Sequence, residues 1–377
     1  MNKIFRLAIL MLFISTLAYS QSTGYSFTMK KDLACTPVKN QNATSTCWCF
    51  SGISMLESEL IRMGKKPYDL SEMFIVRYNY SKKADKYVRM HGSSTFAAGG
   101  EYGDLLTGIA EAGIVPDEVY PGLNYGEVKH NHQEMDGVLK ASVDALIKGQ
   151  KLTTAWMRGI NGILDAYLGT MPSTFTYEGK NYTPVSFAKE LGINPEDYVL
   201  LTSFSHHPFY TQFILEIPDN WANGLFYNVP LEDLMQIIDN SLEKGYTVGW
   251  ASDMSDKGFS MKEGVAVVPV KNWKDMTPDE ASKVFSEPQP EKTITQELRQ
   301  MEFDNYSTTD DHGMHIVGLA VDQTGNPFYK VKNSWGVTGK YDGFIYVSKP
   351  YVALRTTNLM VNKKAIPSEI AKKMGLK

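Results

Sequence analysis

The chain has 377 residues, is 43% apolar and carries a formal net charge of −4. This is enough apolar material for a large core, and the length suggests two lobes or two domains. No basic tract offers a nucleic-acid surface.

Met1 to Ser20 reads as a leader. Lys3 and Arg6 form a basic start, Leu7 to Leu17 an apolar run, and Ala18-Tyr19-Ser20 a small-x-small cleavage site. The run is short for a bilayer crossing and no other competes with it. The expectation is a cleaved signal peptide, a mature chain from near Gln21 without a membrane span, and export to a periplasmic or extracellular space. No cysteine follows closely enough for a lipoprotein. The three cysteines are Cys35, Cys47 and Cys49, so at least one thiol is free.

The next informative stretch is Gln41-Asn42-Ala43-Thr44-Ser45-Thr46-Cys47-Trp48-Cys49. Behind it Cys49, Ile53, Leu56, Leu60 and Met63 form an apolar stripe at helical spacing, ended by Gly64 and Pro67. Cys47 is thereby predicted in the first turn of a helix, where free N–H groups and the positive dipole end favour a thiolate. Cys49 lies about 200° away around the helix. It belongs to the core, and the two make a poor disulfide or metal pair. Gln41, on the loop leading into the helix, could offer its amide to an oxyanion. The plainer alternative for Cys47 is a small buried hydrophobe.

Tyr68 to Val88 reads as a helix, Gly92 to Gly100 as a loop of small residues, and Asp104 to Ala112 as an amphipathic helix closed by Gly113. The pair Gly99-Gly100 would admit an extended peptide close to bare backbone. Gly122 to about Val199 is mainly helical, with an apolar-periodic run from Val138 to Leu168. His130, His132, His206 and His207 have no cysteine or carboxylate at motif spacing, so neither a metal nor a cofactor is expected. From Leu200 the character is β-rich: Phe213–Ile217, Tyr246–Trp250 and Val265–Val270 read as strands, and Leu231–Lys244 as a helix. Two lobes of different class with a cleft between them follow.

Asp311 to Val321 alternates as a strand, turns through Asp322 to Pro327 and returns as Phe328 to Asn333, with Gly343 to Val347 as a third strand. His312 and Asn333 can then be neighbours, an amide oxygen orienting an imidazole. His315, three positions from His312, must face the other side, and alternation alone does not choose between them.

Together Gln41…Cys47-Trp48, Gly99-Gly100 before a helix, a His-Gly-Met strand and Lys332-Asn333-Ser334-Trp335-Gly336, in this order, resemble the papain-like cysteine peptidases. Thr44 in place of a disulfide-forming cysteine, Asn40-Gln41, His312-x-Met314 and a long insertion before the histidine are most similar to the bleomycin hydrolase and aminopeptidase C branch.

The resemblance implies an α+β, two-lobed fold. It divides the chain after the leader into a helical lobe at about 32–121, a helical insertion at 122–199, a β-rich lobe at 200–365 and a C-terminal arm at 366–377. It selects His312, six residues before Gly318, as the catalytic base. It further implies Cys47 as nucleophile, Asn333 orienting His312, Gln41 with the Cys47 N–H holding the oxyanion, and Trp335 shielding the His–Asn contact. Peptide would lie along Gly99 and Gly100. The carboxylate of Lys377 would receive the substrate's α-ammonium and make the enzyme an aminopeptidase, with Asp310 or Asp311 as another source of charge. A homohexamer is implied by the same resemblance. The alternatives are an endopeptidase and a catalytically silent peptide binder.

Overall fold

The computed structural model describes residues 24–149 and 151–376. The expected leader and Lys377 lie outside the described residues. Strand β1 (Phe27–Asp32) precedes three helices, α1 (Cys47–Arg62), α2 (Glu72–Arg89) and α3 (Tyr102–Ala112). Helix α1 is the central pillar. Trp48 through Leu60 are all buried, far more than an amphipathic stripe needs, because α1 has helices on one side and sheet on the other.

Two helices, α4 (Gln133–Ile147) and α5 (Trp156–Leu168), come next. The long run expected from Val138 to Leu168 is thus divided. The Gly149 N–H closes onto Leu146 C=O at 3.0 Å, and polar residues separate the two apolar stripes. A hairpin of β2 (Phe175–Tyr177) and β3 (Lys180–Tyr182) interrupts the helical segment. Glu178 and Gly179 both have positive φ, 48° and 77°, as a tight two-residue hairpin turn requires. After α6 (Pro184–Leu191), helices α1 to α6 share one core, so residues 122–199 pack into the helical lobe and do not stand apart from it.

The β-rich part runs through β4 (Tyr198–Thr202), β5 (Gln212–Ile214), β6 (Leu225–Asn228), α7 (Leu231–Glu243), β7 (Val248–Ser252), β8 (Phe259–Ser260) and β9 (Val265–Ala266). It continues with α8 (Pro278–Lys283), α9 (Gln296–Asp304), β10 (His312–Asp322), β11 (Pro327–Lys332), β12 (Phe344–Ser348), α10 (Lys349–Arg355), β13 (Thr356–Asn362) and α11 (Ser368–Lys373). The strand expected over Phe213–Ile217 stops at Ile214, because Ile217 N–H turns back to Leu215 C=O. The strands join in the order β5-β6-β4-β13-β7-β10-β11-β12-β9-β8. Mainly antiparallel strands beside segregated helices make the fold α+β.

Strand β10 lies at the junction of the two lobes. Its first half pairs with β7, its second half with β1, and its other edge with β11. Met314 and Ile316 enter the β-lobe core, while Gly313 faces α1. A side chain at Gly313 would press on Ser51 Oγ and the Cys47 carbonyl, so glycine lets the strand lie against the first turn of α1.

The C-terminal segment differs from the expected arm. Ile370 and Met374 are buried in the β-lobe core, Leu376 packs against it, and Lys373 Nζ lies 3.2 Å from Tyr210 Oη. Ile370 and Met374, four positions apart, face the lobe together, and Leu376 beyond the helix end adds to the contact. No described residue of this segment lines the cleft.

Candidate active site

The loop before α1 is held by buried charge. Lys39 Nζ reaches Glu57 at 3.3 Å and Glu72 at 2.8 Å, while Thr36 Oγ1 donates to Glu57 at 2.5 Å. From this anchor the chain zips onto the segment after β11. Gly336 N–H donates to Lys39 C=O at 2.9 Å and Gln41 N–H to Ser334 C=O at 2.8 Å. Residues from opposite ends of the sequence therefore meet at one wall of a cleft of about 790 Å³, lined by Gln41, Cys47, Gly99, Asp219, His312 and Trp335 among others.

His312 is 5% exposed, and its Nε2 lies 2.7 Å from Asn333 Oδ1. An amide oxygen only accepts, so Nε2 carries the hydrogen and Nδ1 is left as the acceptor. Asn333 Oδ1 also accepts the Ser334 N–H at 2.7 Å, which fixes the amide. The Trp335 ring covers the imidazole at 4.8 Å between centroids. Gln41 Oε1 accepts from Ser334 Oγ at 2.7 Å, leaving its Nε2–H groups for the cleft.

Cys47 opens α1 as the apolar stripe predicts, but its electrostatics differ from expectation. Burial pushes the thiol up to about 12, and Asp310 and Asp219 add to this. Hydrogen bonds from the Gly313 and Trp48 N–H groups favour the thiolate and are outweighed. The helix terminus alone does not make a thiolate, because removal from water costs the anion more. Burial likewise holds His312 down to about 4, against the pull of Asn333. In both groups burial opposes the charged form. Such a pair can pass a proton from sulfur to Nδ1 as the sulfur attacks, with the Gln41 amide and the Cys47 N–H available to an oxyanion.

The other expected residues divide. His315 lies on the opposite face from His312, as alternation requires. It is wedged against α1 with Nδ1 3.0 Å from Ser54 Oγ. Cys49 is fully buried, its Sγ 3.4 Å from Glu72 C=O, and Cys35, Cys47 and Cys49 are all free thiols. Gly99 lines the cleft, whereas Gly100 is turned inward, where a side chain would meet Trp48 and Asp104. Asp311 lines the cleft but accepts from the Met254 and Ser255 N–H groups at 2.9 and 3.2 Å. Asp310 accepts from Thr357 Oγ1 at 3.1 Å. Lys377 lies outside the described residues.

Two features escape a linear reading. Asp219, in Ile217-Pro218-Asp219-Asn220, resembles any turn residue, yet it stands in the cleft. His206 and His207 do have a carboxylate beside them, Glu216 at 3.1 and 2.7 Å. There Gln300 Nε2 donates to His206 Nδ1 at 3.0 Å while its Oε1 accepts from Ser205 N–H. His206 Nε2 therefore carries the hydrogen and donates to Glu216, a tautomer unsuited to ligating through Nε2.

The model of the peptidase C1-like family matches residues 12–376. Aminopeptidase W of Lactobacillus delbrueckii subsp. lactis is 26% identical over 94% of this chain and 86% of its own length. The mitochondrial cysteine proteinase 1 of Saccharomyces cerevisiae is 23% identical over 90% of this chain and 77% of its own length. In three dimensions the crystal structure of PepW from Lactobacillus rhamnosis aligns with a TM-score of 0.73 at 19% identity, covering 92% of this chain and 84% of that one. A match along nearly the whole chain, on a fold whose cleft holds Cys47 and His312 with Asn333 bonded to the imidazole, makes this protein a member of the peptidase C1-like family of cysteine-type peptidases.

Proposed function

We propose that this cysteine peptidase is an exported aminopeptidase working through Cys47, His312 and Asn333. The observation that carries the reading is the 2.7 Å contact between Asn333 Oδ1 and Nε2 of His312, whose imidazole lines the same cleft as Cys47 and Gln41. Cys47 Sγ attacks the scissile carbonyl and gives its proton to His312 Nδ1. The oxyanion is held by Gln41 Nε2 and the Cys47 N–H. Collapse of the tetrahedral species breaks the C–N bond as His312 protonates the leaving amine. Water, deprotonated by the same imidazole, then hydrolyses the thioester and releases the acid.

The names of the relatives support an exopeptidase, and the composition of residues 1–20 supports export. The docked C-terminal helix favours a second reading, an endopeptidase with a cleft open at both ends. Cleavage of a free-amine aminoacyl coumarin against its N-acetyl counterpart separates the two. The aminopeptidase cleaves the first and spares the second, and Cys47→Ala cleaves neither. A silent peptide binder would leave both intact and Cys47 unalkylated by iodoacetamide.

A further inference from the structure

The leaving amine must lie beside the imidazole that protonates it, so the departing part of a peptide runs past His312 and Trp335. The acyl part runs the other way, toward the wall made by Ala97, Ala98 and Gly99. At that wall the Asp219 carboxylate sits directly over the Cα of Gly99, where any side chain would overlap it. The carbonyls of Ala97, Ala98 and Gly99 all accept from the buried ammonium of Lys83, and its donors are spent there. The Trp48, Tyr80 and Trp221 rings enclose that ammonium at 5.8, 5.6 and 5.6 Å.

Asp219 is held in place by its chain neighbours. The Asn220 amide donates to Leu215 C=O at 2.9 Å and Gly224 C=O at 3.0 Å, and it accepts the Gly224 N–H at 2.7 Å. Trp221 Nε1 donates to Asp104 at 2.8 Å. Both flanking side chains are buried, while Asp219 is half-buried in the cleft. Among the described residues no N–H or O–H donates to its carboxylate. A partly desolvated anion without donors, on the acyl side of the reacting carbonyl, is complementary to one feature of a peptide, a free α-ammonium. Its place over Gly99 also obstructs any chain that continues past that ammonium.

We propose that Asp219 binds the substrate's α-ammonium and closes the acyl end of the cleft, confining the enzyme to peptides with a free N-terminus. The proposal rests on the peptidase reading above and assigns to Asp219 the role expected of the terminal carboxylate.

The test compares the whole chain with Asp219→Asn and with a variant lacking residues 372–377. Aminoacyl and dipeptidyl coumarins and their N-acetyl counterparts are the probes, and iodoacetamide labelling of Cys47 serves as a check of the site. Asp219→Asn is expected to lower kcat/KM for free-amine probes by roughly 30-fold or more, chiefly through KM. Cys47 labelling should persist while the ratio of free-amine to N-acetyl cleavage falls, and the truncated variant should keep the wild-type ratio. A wild-type preference in Asp219→Asn, or its loss on truncation, overturns the proposal. Equal cleavage of free and acetylated probes by the wild type overturns it while the peptidase stands. No cleavage and no labelling of Cys47 in the wild type overturns the peptidase reading and this proposal with it.

Discussion

Replacing Asn333 by alanine removes a single amide and separates orientation from proton transfer at His312. Asn333 is 2% exposed, and its Oδ1 accepts two hydrogen bonds of 2.7 Å, from His312 Nε2–H and from Ser334 N–H. Alanine leaves both donors unpaired, and a buried unpaired donor costs about 1–3 kcal/mol. If the imidazole bears one such loss in the transition state, kcat/KM falls about 5- to 150-fold, at tenfold per 1.4 kcal/mol. Trp335 still covers the ring and Nδ1 is still present, so proton transfer is impaired and not abolished. His312→Ala removes the carrier itself and should cost about 10²–10⁴-fold or more. The assay is kcat/KM on an aminoacyl coumarin at neutral pH for both variants, with urea unfolding to show that each is folded. Equal, severe losses would refute the division of roles, and an unimpaired Asn333→Ala would refute the orientation argument.

Cys47→Ala should abolish turnover and leave the unfolding midpoint near the wild-type value, since Cys47 faces the cleft at a helix end and belongs to no hydrophobic core cluster. Cys49→Ala should keep activity and lose about 1–2 kcal/mol in urea unfolding, the cost of a small cavity beside α2. His315→Ala should lower stability with little change in kcat, because its ring packs on Ser54 away from the cleft; a kinetic loss equal to that of His312→Ala would contradict the strand alternation. Among the described residues neither ring nitrogen of the buried His132 has a hydrogen-bond partner, and burial holds it down to about 4. The unfolded chain, near 6.5, binds the extra proton first, so this histidine's contribution is full above pH 6.5 and is lost as pH falls toward 4. His132→Leu should therefore narrow the stability difference between pH 8 and pH 5 by about 2 kcal/mol, and an unchanged difference would exclude that source.

Local periodicity made much of this molecule legible. The stripe Cys49-Ile53-Leu56-Leu60 set the phase of α1 and so separated Cys47 from Cys49. Alternation in β10 separated His312 from His315, and a short hairpin was enough to bring Asn333 back to His312. The burial of α1 on nearly all sides was less visible, because it depends on β10 arriving from more than two hundred positions away. The desolvation of Cys47 was hidden for the same reason. The helix dipole is local, whereas the desolvation and the Asp219 and Asp310 charges that oppose it are assembled by the fold. The tail misled because Ile370, Met374 and Leu376 look sparse alone, yet they meet a ready-made apolar surface on the β-rich lobe. Asp219 carried no signal, since nothing in a Pro-Asp-Asn turn tells which glycine it will cover.

The assignment of Cys47 as nucleophile and His312 as its proton carrier is open to direct chemical trapping. It is tested most directly by treating the enzyme with a stoichiometric epoxide inhibitor and mapping the modified residue by peptide mass spectrometry. One adduct per chain is expected, on Cys47, formed in step with loss of activity and strongly slowed in His312→Ala. An adduct on Cys35 or Cys49 that tracks the loss of activity, or turnover that survives Cys47→Ala, would contradict it.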